Sequence, residues 1–337
     1  MRGTADLLVG LSRIAWYRND LGAVAEYLRR SDELGEAASL AQNPYRWRVG
    51  MARLRAAEGD LSTALELLDD AERVYVGDYS PNVQPVHATR ARVLAARGDI
   101  GEALAWARQH EVAKDDDLSY LREYEHITLA RVLLADHAAT GSRQALEDAA
   151  ALLERLLAAA RDGERMGTMI ELEVLRAVAH HASGARDESL GALGHAVKLA
   201  EPDGWVRVFV DAAPVLTDLL RELATTQPQS GYTRKLLAAA TAADSATTEV
   251  TGDAGGTAPA PGPAVRLVDP LSDRELDVLR LLGSDLDGPA IARQLIVSLN
   301  TIRTHTKRIY TKLGVNSRRA AVSKAHQLGL LSRSANH

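Results

Sequence analysis

From about residue 5 to residue 243, apolar residues recur three and four apart, the spacing that lays one apolar stripe along a helix. Short polar or Gly-bearing turns interrupt the stripe, so the pattern predicts helix after helix. Asp20-Leu21-Gly22-Ala23-Val24, Asp60-Leu61-Ser62-Thr63-Ala64-Leu65 and Asp99-Ile100-Gly101-Glu102-Ala103-Leu104 open three of these helices at spacings of 40 and 39 residues, with Gly59 and Gly98 just before two of them. Gly184-Ala185-Arg186-Asp187-Glu188-Ser189-Leu190 is a weaker fourth echo. Asp accepts the amides a first turn leaves unpaired, and Gly tolerates the left-handed backbone at a helix end. Small residues at fixed offsets (Ala52, Ala64, Ala71; Ala91, Ala103, Ala107) allow close helix pairing. A helix-turn-helix unit repeating every ~34–45 residues predicts an all-α helical-repeat solenoid over residues 1–243. One piece dissents: Trp205-Val206-Arg207-Val208-Phe209-Val210 alternates as a strand does.

Residues 244–264 break the pattern. Asp244-Ser245-Ala246-Thr247-Thr248, Gly255-Gly256-Thr257 and Pro259-Ala260-Pro261-Gly262-Pro263 cannot bury a core, and they predict a flexible linker spanning roughly 25 Å. Helical spacing resumes over residues 265–337. Ser272-Asp273-Arg274-Glu275 is a capping box for a first helix carrying Leu276, Leu279, Leu281 and Leu282. Asp287-Gly288-Pro289 starts a short second helix, with Pro where its missing N–H costs nothing. After a turn at Ile296-Val297, Ser298 caps a longer helix to about Leu313, with Ile302, Ile309 and Leu313 on one face beside Thr306 and Tyr310. Arg303, Lys307 and Thr311 stand four apart on the other side, flanked by Thr304 and Arg308. Gly314 ends this helix, and Ser317 caps a last one bearing Ala320, Ala321, Val322, Ala325 and Leu328. A short helix, a tight turn and a longer helix with a basic outer face form a helix-turn-helix. The second helix of such a pair enters the DNA major groove.

Charge supports this reading. The chain carries a net −5, yet residues 288–337 contain no Asp or Glu and nine cations: Arg293, Arg303, Lys307, Arg308, Lys312, Arg318, Arg319, Lys324 and Arg333. Residues 265–337 hold twelve Lys or Arg against six Asp or Glu, and the rest of the chain holds 28 against 39. A folded basic module on an acidic body implies a polyanionic partner. The six acids all precede Gly288, which places the first helix and its flanks away from DNA. The chain has no cysteine, which excludes disulfides and thiolate metal sites. No apolar run reaches the ~20 residues of a membrane helix, and the N-terminus lacks a signal-peptide core, so a cytoplasmic protein is expected.

Leu271-Ser272-Asp273-Arg274-Glu275, Val278-Leu279, Ile291-Ala292, Leu295, Ser298, Thr301-Ile302-Arg303, His305, Ile309-Tyr310, Lys312-Leu313-Gly314-Val315, Ser317-Arg318, Ala320-Ala321 and Leu328-Gly329-Leu330 resemble the LuxR-type DNA-binding domain across about 60 residues. The resemblance implies a four-helix module that binds double-stranded DNA as a homodimer in the bacterial nucleoid. It puts Arg303, Thr304 and Lys307 at base-facing positions. Ser298, Thr301 and Lys312 fall near phosphates, with Asn300 beside them and Arg308 as a further backbone contact. The sequence departs from the family pattern at Asp285, Ala290, Leu299 and Thr306; Leu299 alters the start of the reading helix, and Thr306 loosens the core. Residues 45–243 resemble, more loosely, the tetratricopeptide-like region of MalT-type LuxR regulators. That likeness rests on Asp117-Leu118-Ser119-Tyr120-Leu121-Arg122-Glu123-Tyr124-Glu125, Leu129-Ala130-Arg131, and Glu201-Pro202-Asp203-Gly204-Trp205-Val206-Arg207-Val208-Phe209-Val210-Asp211. It implies helix, not strand, at 205–210. Those regulators carry an upstream ATPase module, and this chain has no Gly-x-x-x-x-Gly-Lys-Ser/Thr loop, so it is expected to be a truncated form or a fragment.

Other candidates read as structural. His180 and His181 are adjacent and point apart, so they do not form a metal pair. Asp115-Asp116-Asp117 reads as a polar helix start rather than a cation site. Glu123 and Glu125 beside His126 do not share a helix face, and no nucleophile–base pair is visible. The expectation is therefore a non-enzymatic DNA-binding transcriptional regulator with no cofactor and no metal. Its repeat domain would bind a small-molecule effector or a protein partner, RNA polymerase included. The alternative is a repeat scaffold for protein–protein binding with a vestigial DNA module.

Overall fold

Asp20 and Asp60 start their helices as the repeat pattern predicts. In the computed structural model, each carboxylate accepts the amide three residues on, Ala23 at 2.9 Å and Thr63 at 3.1 Å. Gly59 and Gly98 take φ of +83° and +91° at the preceding helix ends. The third Asp differs: the Asp99 carboxylate turns back onto Arg97 and caps nothing. The fourth echo also shifts. Its helix begins at Arg186, with Ala185 in the cap position and Asp187 inside the first turn.

The structure describes residues 2–77, 81–213, 215–226, 230–251, 273–283, 286–295, 302, 306, 309, 310, 312, 315 and 318–327. All regular elements among them are helical. The chain divides into two compact units, residues 1–254 and 255–337.

The first unit is a stack of antiparallel hairpins: α1 (Thr4–Tyr17) with α2 (Leu21–Leu34), α3 (Asn43–Ala57) with α4 (Leu61–Arg73), α5 (Val86–Arg97) with α6 (Ile100–Gln109), α7 (Glu123–Thr140) with α8 (Arg143–Asp162), and α9 (Met166–Ala182) with α10 (Arg186–Ala200). The helical turn α11 (Arg207–Val210), α12 (Val215–Thr226) and α13 (Gly231–Thr251) follow. Ala52, Ala64, Ala71, Ala91, Ala103 and Ala107 are all buried, as close helix pairing requires. The strand-like piece is not a strand. Its alternation disappears because Val206, Val208, Phe209 and Val210 are all buried around one short helical turn. Helix α13 continues eight residues beyond the boundary at 243. Ser and Thr at 245–248 lower helix propensity without ending a helix, and the first Gly after them is Gly252. The remaining linker positions, 252–264, lie outside the described residues.

The first helix of each hairpin faces inward. Arg13, Arg53, Arg92 and Arg131 recur at spacings of 40, 39 and 39 residues, one each on α1, α3, α5 and α7, and Glu171 on α9 takes the next place. Glu171 accepts from Arg92 at 2.8 Å and from Arg131 at 3.0 Å. Burial pushes the Glu171 carboxyl upward, but the two guanidiniums outweigh it and hold the group below the usual range. Arg92 also donates to the Thr128 hydroxyl at 2.8 Å and lies 3.8 Å over the Tyr124 ring. The inner helices converge enough for the two ends of the stack to meet. The Val206 amide donates to the Tyr17 carbonyl at 2.8 Å, Arg207 donates to Asn19 at 3.1 Å, and the Tyr17 and Trp205 rings lie 4.3 Å apart. A Cβ at Gly167 would stand 2.8 Å from the Trp205 ring, so the indole needs a glycine there.

Among the described residues no helix is long and apolar enough to cross a membrane.

Candidate nucleic-acid interface

The second unit is built from α14 (Asp273–Leu282), α15 (Gly288–Gln294), helical residues at 302, 306, 309, 310 and 312, and α16 (Arg318–Gln327). Helix α14 begins where the capping box puts it, while Ser272 itself lies outside the described residues. Asp287 caps α15: its carboxylate accepts the Ala290 amide at 2.8 Å, with Pro289 in the first turn. Val278, Leu279, Leu282, Ile291, Ala292, Ile302, Ile309, Ala321 and Ala325 form one core, and Leu295, Tyr310 and Val315 pack at its edge. Among the described residues, Ile302 and Ile309 are inward anchors of the third helix. Thr306, between them, is half-buried. The Val315 amide bonds back to the Tyr310 carbonyl at 2.9 Å, five residues earlier, the bond that closes a helix in a Schellman ending. Burial raises the Tyr310 hydroxyl pKa above its ordinary value, and nearby Arg318 partly offsets this.

Of the residues assigned to DNA, Ser298, Asn300, Thr301, Arg303, Thr304, Lys307 and Arg308 lie outside the described residues, as do Leu299 and His305. Lys312 is on the helix and half-buried. Arg318, counted among the nine cations of the acid-free stretch, is committed elsewhere. It donates to the Leu282 carbonyl at 2.9 Å and the Leu281 carbonyl at 3.4 Å, satisfying the last turn of α14 where a cation is favoured. Sequence counting missed this because a charge census does not show which donors fold the module.

Elsewhere in the chain the candidate acid–base groups hold structure together. Glu123 accepts from Arg165 and from the Thr168 hydroxyl, at 2.8 and 2.9 Å. His126 is fully buried between the Arg122 carbonyl at 2.9 Å and Asp116 at 3.2 Å. Asp115-Asp116-Asp117 is a turn, not the helix start expected. Asp116 bonds backward to the Ala113 amide at 2.9 Å and forward to His126, so no helix begins there. The Ala113 amide, followed by His126 and Arg122, lowers the Asp116 pKa against the opposing effect of burial. Among the described residues no group of His, Asp and Glu could hold a metal ion.

An unforeseen aromatic cluster lies at His87. Its Nδ1 faces the Trp106 indole N–H at 2.8 Å, and its ring stacks on His110 at 3.8 Å. Burial, then the His110 charge, brings the His87 pKa down to about 4.

Comparison with known proteins agrees with this architecture. Residues 1–226 match the family described as the MalT-like TPR region, and residues 269–325 match the bacterial regulatory proteins of the luxR family. The HTH-type transcriptional regulator MalT of Klebsiella pneumoniae is 27% identical over 310 residues, covering 82% of this chain and 31% of that protein. The probable transcriptional regulatory protein NarL of Mycobacterium tuberculosis is 46% identical over 61 residues, 18% of this chain and 28% of that protein. MalT of Serratia proteamaculans is 42% identical over 66 residues, 20% of this chain and 7% of that protein. The chain thus spans under a third of the length of these curated relatives. It belongs to the MalT-like TPR family and carries a luxR-family regulatory domain at residues 269–325.

Proposed function

We propose that this chain is a transcriptional regulator whose C-terminal module binds a duplex DNA site, with activity set by what the repeat unit binds. The observation that carries this reading is the inward anchoring of the third helix by Ile302 and Ile309. Counted at about 100° per residue from those anchors, sequence positions 304, 307 and 311 come opposite the core, and 303 and 308 come to its two flanks. These positions carry Thr304, Lys307, Arg308, Thr311 and Arg303 in a stretch without a single acid. Arg303, Thr304 and Lys307 then meet base edges, while Ser298, Asn300, Thr301, Arg308 and Lys312 meet the backbone. A homodimer on DNA fits a module of this size, because two half-sites multiply the few base contacts one copy makes. An effector or protein partner, RNA polymerase included, would act through the repeats.

Selection of bound sites from random duplexes, followed by anisotropy titrations at several salt concentrations, tests the reading. Arg303→Ala relaxes preference at one base position at a cost of about 1–3 kcal/mol. Lys312→Ala weakens all sequences alike and lowers the salt slope by about 1. If Arg303→Ala and Lys307→Ala change neither affinity nor site preference, the module is vestigial and the repeat unit acts as a scaffold.

A further inference from the structure

The inner arginine ladder is neutralised at one end only. Glu171 serves Arg92 and Arg131. Arg13 and Arg53, the two earlier rungs, meet no carboxylate among the described residues. Arg53 donates to the neutral Gln84 side chain at 3.0 Å and lies 5.7 Å from the Trp16 ring, and Arg13 faces the Tyr17 ring at 6.0 Å. Both line a pocket of about 300 Å³ between α1, α3 and the 81–86 segment, together with Trp16, Gly10, Val49 and Asn82. The pocket's one described acid, Asp6, accepts the Leu40 amide at 2.9 Å through Oδ2, while its buried Oδ1 has no hydrogen-bond donor and is neutralised by Arg46 at 3.8 Å. The Trp16 indole N–H is buried without an acceptor. Unsatisfied donors of this kind are costly in a folded chain.

We infer that this pocket binds a small organic anion with a flat apolar body: its acid group meets Arg13 and Arg53, and its body lies along Trp16 and Val49. A guanidinium pair selects a carboxylate or phosphate through paired, charge-assisted hydrogen bonds. A pocket this size holds a molecule of about a dozen non-hydrogen atoms, at the small end of the range for ligand sites. The inference deepens the effector part of the proposed function, and it is measured without DNA.

The test is calorimetric titration of the full chain with indole-3-acetate, indole-3-acetamide and tryptamine, which share a body and differ in charge, with inorganic phosphate as a control for charge alone. Indole-3-acetate binds about tenfold or more tighter than the amide, consistent with one or two charge-assisted hydrogen bonds, and tryptamine and phosphate do not bind. Arg13→Ala and Arg53→Ala remove the preference for the acid. Gly10 supplies a folding-safe block. A Cβ there meets nothing within 4 Å, so Gly10→Phe fills the pocket and abolishes binding while the melting temperature holds or rises. Equal binding of acid and amide, binding that survives Gly10→Phe, phosphate binding as well as the acid, or no heat from the acid at millimolar concentration each overturns the inference. Binding that leaves DNA affinity unchanged supports the pocket and removes the effector role from the proposed function.

Discussion

Gly98 and Gly10 show how differently one residue type can be used. Gly98 ends α5 at φ +91°, where a side chain is strained, so Gly98→Ala should cost about 1 kcal/mol. Gly10 lies inside α1 with open space at its Cβ, so Gly10→Ala should stabilise by roughly 0.5–1 kcal/mol. Urea denaturation of the two variants should move the midpoint in opposite directions. His87 gives a pH dependence of known sign. Its folded pKa of about 4 lies below the ordinary 6.5, so the fold favours the neutral ring. The stability this contributes is whole above pH 6.5 and is lost as pH falls toward 4, where the unfolded chain takes up a proton that the folded chain refuses. His87→Gln keeps an acceptor for the Trp106 indole N–H and should flatten melting temperature against pH in that window; a slope equal to the parent's would assign the effect to other groups. Nothing local in the sequence marks His87, because its pKa depends first on its burial in the fold and then on His110, 23 positions away.

At the scale of elements, much was legible wherever a pattern had to hold over a whole helix. The 39–40 residue period, the capping roles of Asp20 and Asp60, and the buried alanines follow from spacing alone. The failures arose where other partners, near in sequence or far, compete with the pattern for a side chain. Asp99 prefers Arg97 to its own helix amides, Asp116 serves a turn, and the alternating 205–210 piece coils because both of its faces are buried. The inner arginine ladder could have been read by extending the same period to residues 13, 53, 92 and 131, a repeat of charge rather than of apolar residues. Its worth is measurable. Glu171→Ala leaves Arg92 and Arg131 facing each other without an anion between them, which should cost about 3 kcal/mol in urea denaturation. Glu171→Gln should recover part of that through its remaining acceptor. A loss below about 1 kcal/mol would mean that water, not Glu171, solvates the pair.

For the repeat unit as a whole, the decisive feature is the meeting of α1 with the 203–207 segment. Stacked hairpins normally respond only to their neighbours, and damage at one end stays local. Here the Tyr17 carbonyl, the Trp205 ring and Arg207 join positions more than 180 residues apart. Trp205→Ala should therefore speed hydrogen exchange in α1 as well as in α9, where the indole lies on Gly167. Exchange confined to α9 would show the ends to be independent. The join also limits how this architecture can change. An open stack lengthens by duplicating a hairpin, since each copy brings its own neighbours with it. In this chain an added hairpin would carry residue 206 one step past the Tyr17 carbonyl and strand both partners. The number of hairpins is thus held by one amide, one guanidinium and two rings, and variation is confined to what the fixed set presents along its inner face.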